Sequence, residues 1–399
     1  FQTINGFASP TIAIGDGAAW RPLGAGITGT VEDLLVFGDD LIAGGQITAA
    51  GGTPVSKVAR WDGSAWHPMG AGIPGSGRVT SLAVFRGELF AGGSLTGPGI
   101  TSLARWNGSQ WSFVPGITTG SISALAVYND ELYVAGYLFS AGGVPTTRIA
   151  RWNGSTWQPF GTGANGTVFA LATWDSDADP ATPSQLIAAG MFTSAGGNAV
   201  NSIATWDGSS WLPLSTGTNG AVHALTVWDQ DAAGPGLPRL IAGGAFTVAG
   251  GVTLNRIASW NGSVWQSFSS GITGLDAAVY GLTTWDPDGV GPLTTRVVAG
   301  GMFGSAGGMN AFNAAAWDGS AWHTFGPRAP VAALTTWDPD DADILPPQIV
   351  ACGLVVSRWD GARWRTFGTE DSTRLVTSWD RDGDGPETPQ LAAAGFFVD

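Results

Sequence analysis

Trp206-Asp207-Gly208-Ser209-Ser210-Trp211 is one copy of a hexapeptide, Trp-(Asp/Asn)-Gly-Ser-x-Trp. It recurs at Trp61–Trp66, Trp106–Trp111, Trp152–Trp157, Trp260–Trp265 and Trp317–Trp322, and more weakly at Gly15–Trp20 and Trp359–Trp364. The shortest step between full copies and the weak ones that follow, Trp317 to Trp359, is 42 residues, and the longest, Trp260 to Trp317, is 57. A regular period of this length marks one supersecondary unit copied along the chain, here eight times, and the repeat decides the architecture.

Around the quoted copy, four short runs read as strands. Val168–Trp174 is mostly apolar, Leu186–Gly190 continues towards Phe192, Ser202–Trp206 leads into the hexapeptide, and Trp211–Leu214 leaves it. Each is too short for a helix. Asp207-Gly208 reads as a two-residue hairpin turn in which both residues take positive φ, and Ser194–Gly197 turns the second strand into the third. Four antiparallel strands per unit make a propeller blade. Pro22, Pro68, Pro159 and Pro213 suit an outermost fourth strand, since proline cannot donate to a ladder. The apolar first strand is then innermost.

The two ends complement each other. Phe1–Leu23 supplies only a third and a fourth strand, and Thr373–Phe397 only a first and a second. The expectation is an all-β fold: one eight-bladed propeller spanning residues 1–399 as a single domain, its eighth blade built from residues 1–24 and 369–399 so that closure removes free edges.

Second strands that end in Gly-Gly (Gly44-Gly45, Gly92-Gly93, Gly243-Gly244, Gly300-Gly301), followed by a third strand ending in an aromatic and a fourth carrying Trp, resemble the kelch-type propeller repeat along the whole chain. The string Ala242–Gly251, followed by Ile257–Gly262, is similar to repeats of secreted bacterial propellers and of the fungal cortical cell-polarity marker family. That resemblance implies a surface or extracellular binding role and carries over no catalytic motif. Kelch-type folds also include copper oxidases, which need a Cys–Tyr pair beside two histidines. The three histidines here, His67, His223 and His323, fall in different blades or on different strands, which argues against such a site.

Composition narrows the partners. A net charge of −14 with one lysine, Lys57, leaves no basic stripe for nucleic acid or for an anionic membrane surface, and no apolar run approaches the length of a spanning helix. The expected state is a soluble monomer. Cys352 lies in an apolar strand and reads as a small buried hydrophobe. Asn107, Asn153, Asn165 and Asn261 begin Asn-Gly-Ser/Thr sequons, but the same pair is what a tight turn needs. All 20 tryptophans fall at repeat positions, so they read as scaffold before they read as a sugar platform.

Two features carry candidate function. Blades four to eight lengthen the loop between first and second strands by eight residues and fill it with aspartates: Asp175, Asp177 and Asp179; Asp229 and Asp231; Asp286 and Asp288; Asp338, Asp340 and Asp343; Asp380, Asp382 and Asp384. Asp-x-Asp-x-Asp-Gly at Asp380–Gly385 spaces oxygen ligands as Ca²⁺ requires, though Asp also initiates turns unaided by metal. The second feature is the first-strand position five before the aromatic, which varies most between blades: Glu32, Thr80, Ser123, Phe169, His223, Tyr280, Ala332 and Arg374. These residues should ring one mouth of the central channel and engage a ligand there, with Glu32 and Arg374 close enough to pair. The leading expectation is a non-enzymatic extracellular or surface propeller binding a protein or a glycan. The alternatives are a calcium-stiffened structural ring, and a hydrolase or lyase with its active site at the mouth.

Overall fold

A computed structural model describes the chain except residues 1–2, 5–6, 9–10, 16–19, 97–101, 118–119, 159–162, 178–183, 232–235, 290–292, 328, 340–345, 354–355, 360, 368–371, 382–387 and 397–399. It shows a ring of eight antiparallel sheets, each built on four strands, which in seven of them follow chain order from the inside outwards. The first strands are Ile27–Phe37, Val79–Phe85, Gly120–Tyr128, Thr167–Trp174, Val222–Trp228, Ala278–Trp285, Val331–Trp337 and Ser372–Trp379. Each touches its predecessor and its successor, and Ser372–Trp379 touches Ile27–Phe37, so these strands form the inner circle. This is an eight-bladed β-propeller.

The eighth blade is shared between the ends of the chain. Ile12–Gly15 pairs with Gln390–Phe396 in the register Ile12 to Ala394 and Gly15 to Leu391, and Trp20–Pro22 lies outside it. Trp379 then ties this blade to the first, its indole N–H donating to the Asp39 carbonyl at 3.2 Å. The same device joins other neighbours: Trp174 to Pro238, Trp228 to Thr295, Trp285 to Pro347, Trp337 to Pro389, and the Tyr128 hydroxyl to Ser184. Each aromatic at the end of an inner strand reaches the start of the next blade's second strand. Phe37 and Phe85 fill that slot without a donor.

The hexapeptide folds differently from the expected two-residue turn. Trp61 pairs with Trp66, so four residues form the loop, and among them only Gly63 has positive φ, at 93°. The reason is the side chain of the Asx residue: Asp62 Oδ1 accepts from the backbone N–H groups of Ser64 and Ala65, at 2.8 and 2.9 Å, and so closes the turn itself. Asn107, Asn153, Asp207, Asn261 and Asp318 repeat the arrangement. With the loop closed, the paired tryptophans meet across the hairpin, with ring centroids 5.2 Å apart at Trp152–Trp157 and 5.5 Å at Trp61–Trp66. Seventeen of the 20 tryptophans are buried and Trp106, Trp359 and Trp364 are partly so, which bears out the scaffold reading.

Pro22, Pro68 and Pro213 lie in outer strands as expected, while Pro159 is outside the described residues. The Gly-rich turn between second and third strands is itself a small hairpin, for example Ser194–Ala195 against Asn198–Ala199. Blade seven has no room for one: Gln348–Gly353 and Val356–Trp359 are separated by two residues. Cys352 is 1% exposed, and burial pushes its thiol up to about 12, in keeping with a packing role. Among the described residues no helix is long and apolar enough to cross a membrane.

Candidate functional site at the channel mouth

In all eight blades the pairing of first with second strand slips by one residue at the variable position. The residues skipped in the register are Glu32, Thr80, Ser123, Phe169, His223, Tyr280, Ala332 and Arg374. The position is therefore a β-bulge, a device that re-aims one side chain while the ladder continues on both sides. Its cause lies in the repeat's glycines. A Cβ on Gly45, Gly93, Gly190, Gly244, Gly301 or Gly353 would fall 1.9–2.1 Å from a carbonyl oxygen of the first strand or the residue leading into it, so only glycine allows the bulged backbone so close. The motif that identifies the repeat also builds the mouth.

The eight side chains divide the mouth into two halves. In blades two and three the bulge residue is tied to the next blade: the Thr80 hydroxyl donates to the Ile122 carbonyl, and the Ser123 hydroxyl to the Val168 carbonyl at 3.3 Å. Glu32 meets the Arg78 guanidinium at 3.4 Å, a contact with the segment entering blade two that the repeat comparison did not anticipate. Arg78 leads directly into the second inner strand, which carries it to Glu32's side.

Blades four, five and six supply the opposite half. Phe169, His223 and Tyr280 form a continuous arc, with ring centroids 5.3 Å apart at both steps and planes tilted by 36° and 47°. Phe169 is 39% and Tyr280 43% exposed. Burial between them holds the His223 imidazole below its ordinary pKa, so it is neutral at pH 7.

A groove of about 740 Å³ opens between blades four and five. Its walls include Asn165, Met191, Thr193, Asn201, Thr216 and Asn219. Two asparagines stiffen them: Asn165 Oδ1 accepts from the Thr193 and Ser194 N–H groups, and Asn219 Oδ1 from those of Thr247 and Val248, all at 2.8–3.0 Å. Gly220 and Ala221 line the groove and run straight into Val222 and His223. The groove's Ala221 and the arc's His223 are thus two residues apart along the chain.

Asp33, next to the first bulge, escaped the sequence reading. Its carboxylate accepts from Leu82 N at 2.6 Å in the next blade and from Leu34 N at 2.9 Å, the role that Ser81 plays one blade on by accepting from Leu125 N. Burial outweighs those two bonds and pushes the carboxyl up to about 6. Because the folded value lies above the unfolded one, the contribution is fully present below about pH 4 and is lost as pH rises through about 6. The wild type should therefore lose stability relative to Asp33→Ser across that window, by at most about 1.4 kcal/mol per pH unit. Paired urea denaturation curves at pH 4, 5, 6 and 7 check this, and a constant difference would refute it.

The acidic loops hold no assembled cage in their described parts. Asp175, Asp229 and Asp286 each accept from the N–H two residues on, while Asp231 accepts from Gly236 N and Asp288 from Leu293 N. The first three are the bonds of an Asx turn. Asp286, desolvated beside Asp288, has its carboxyl pushed up. Among the described residues no three or more His, Cys, Asp or Glu side chains are placed to hold a metal ion. Asp338 and Asp380 are described as the first residues of their loops, and Asp179, Asp340, Asp343, Asp382 and Asp384 lie outside the described residues. The other two histidines sit on outer hairpins, bonded to the Asx residue of their own turn, His67 to Asp62 and His323 to Asp318.

No family model matches the chain, and no curated protein matches it. Solved structures do. Sqt1 of Chaetomium thermophilum is 14% identical, with a TM-score of 0.53 over 98% of this chain and 100% of that one. YCF48 bound to a D1 peptide is 13% identical, with a TM-score of 0.47 over 99% and 100%. The extracellular domain of a B. thetaiotaomicron protein assigned to the hybrid two-component systems is 10% identical, with a TM-score of 0.47, and this chain spans only 41% of its length. At such identities the similarity to Sqt1 speaks for the fold alone: the chain is folded as a β-propeller.

Proposed function

We propose that this chain is a non-enzymatic binding propeller that engages a glycan or a protein through its channel mouth and the adjoining groove. One observation carries the reading: the position that varies most between blades is in every blade the bulge residue, and three of its occupants form a continuous, solvent-facing aromatic arc. Scaffold positions repeat because each serves the same packing, whereas a bulge frees a side chain for other work. Two facts favour binding over catalysis. The mouth's imidazole is flanked by rings on both sides, and Glu32 faces Arg78. General acid–base chemistry needs such groups within hydrogen-bond reach of one reacting atom.

The finer assignment, a kelch-type repeat in an extracellular or cell-surface setting, rests on the resemblance of the Gly-Gly and Trp positions. A printed array of glycans and peptides, probed with and without Ca²⁺, tests the binding role. The double variant Phe169→Ala/Tyr280→Ala should lose whatever the native chain binds and keep its melting temperature, since both rings are well exposed. The outer-hairpin control Val264→Ala, at a 52% exposed position, should bind as the wild type does. Turnover of a bound compound, or equal binding by the double variant, would reject the reading.

A further inference from the structure

Resting on that reading of the mouth, we infer that its ligand is an uncharged saccharide chain, laid along the Phe169–His223–Tyr280 arc with hydroxyl groups directed into the groove between blades four and five. The arc offers ring faces, apolar surface that a sugar's C–H face can cover. The groove is lined by Asn165, Thr193, Asn201, Thr216 and Asn219, whose amides each spend one N–H inside the protein, on Thr193 Oγ1, the Thr216 carbonyl and Thr247 Oγ1, and keep a second for a ligand; among the described residues no charged side chain lines it, although the chain carries 48 charged residues.

That combination excludes other classes on physical grounds. A charged ligand would be desolvated with no counter-charge among the groove's described residues, which is costly. A purely apolar ligand would cover those second amide N–H groups without pairing them. A peptide binding by strand addition needs an open sheet edge, but turns build the groove walls, and on the far side of the mouth Thr80 and Ser123 already occupy inner-strand carbonyls. What remains is a molecule dense in uncharged donors and acceptors that also carries apolar faces. The neutral His223 imidazole adds one donor and one acceptor to the arc. The Asn165 and Asn219 braces hold the groove walls in place before any ligand arrives, which lowers the ordering cost of binding.

The test is isothermal titration of the full chain with maltohexaose, cellohexaose, laminarihexaose and chitohexaose. A hexagalacturonate, a heparin hexasaccharide and a mixed decapeptide library serve as the charged and peptide arms. The expected result is saturable binding of at least one neutral hexasaccharide with little dependence on salt, weakened about tenfold or more in Tyr280→Ala and in Phe169→Ala. Both variants should melt as the wild type does. Absence of binding by every neutral hexasaccharide at millimolar concentration overturns the inference. Binding of a uronate or a peptide that Tyr280→Ala abolishes also overturns it, while leaving the mouth as the site. Neutral-sugar binding that ignores both variants overturns the placement and, with it, the proposed role of the mouth.

Discussion

A chain lacking residues 1–22 is expected to lose its cooperative melting transition and to associate. Those residues contribute Ile12–Gly15 and Trp20–Pro22, the outer half of the eighth blade. Ile12, Ile14 and Trp20 are at most 4% exposed, and burial of an aliphatic side chain of that size contributes roughly 1.5–3 kcal/mol, with more for Trp. Their joint loss reaches about the 5–15 kcal/mol by which a typical domain is stable at all. The cut also bares one edge of Gln390–Phe396, in which Leu391 and Ala392–Ala394 are at most 1% exposed in the intact ring. A flat apolar edge is a template for pairing with another chain. Light scattering and thermal melting of the truncated chain check this, and a synthetic peptide of residues 11–24 added in trans should restore the transition. A truncated chain that stays monomeric and melts at the wild-type temperature would show that the ring holds without its N-terminal strands.

Trp337→Ala should cost about 3–5 kcal/mol, the range for emptying a fully buried aromatic site. Trp337 is 2% exposed, and its N–H donates to the Pro389 carbonyl at 2.9 Å, so it both fills the space between blades seven and eight and bonds across it. Trp337→Phe separates the two contributions: it keeps most of the ring and leaves the carbonyl unpaired, at about 1–3 kcal/mol. Phe37 and Phe85 occupy the same slot in blades one and two, so the fold accepts phenylalanine there. Urea midpoints of the two variants report the difference. Equal losses would assign the whole effect to the hydrogen bond, and no loss in either would remove the inter-blade tie from the account.

Much of the ring was legible because its signals are local and repeated. Strand lengths, the Asx-Gly turn and the alternation of Trp positions each act within a few residues, and eight copies average out the ambiguity of any one. Closure was legible for the same reason: the N-terminal segment lacks the two strand types that the C-terminal segment contains. The four-residue turn at Asp62–Ala65 was missed because Asn-Gly and Asp-Gly also serve two-residue turns, and only the direction of the Asx side chain separates the cases.

The mouth was half legible. Comparing blades singled out the position of Phe169, His223 and Tyr280 but not its geometry, since a bulge shows itself only in the pairing of two strands. The pairing of Glu32 with Arg78, the carboxylate of Asp33 on Leu82 N, and the groove between Asn165 and Asn219 all join segments from different blades. Periodicity along one chain cannot rank such contacts.

Sequence alone determined the number of blades, the order of strands within them and the sharing of the last blade between the two ends, because each follows from hydrophobic spacing and turn chemistry within a single repeat. Tertiary structure decided which side chains meet. Phe169, His223 and Tyr280 lie more than 50 residues apart along the chain, and they become neighbours at 5.3 Å only when the ring curves three inner strands around one channel.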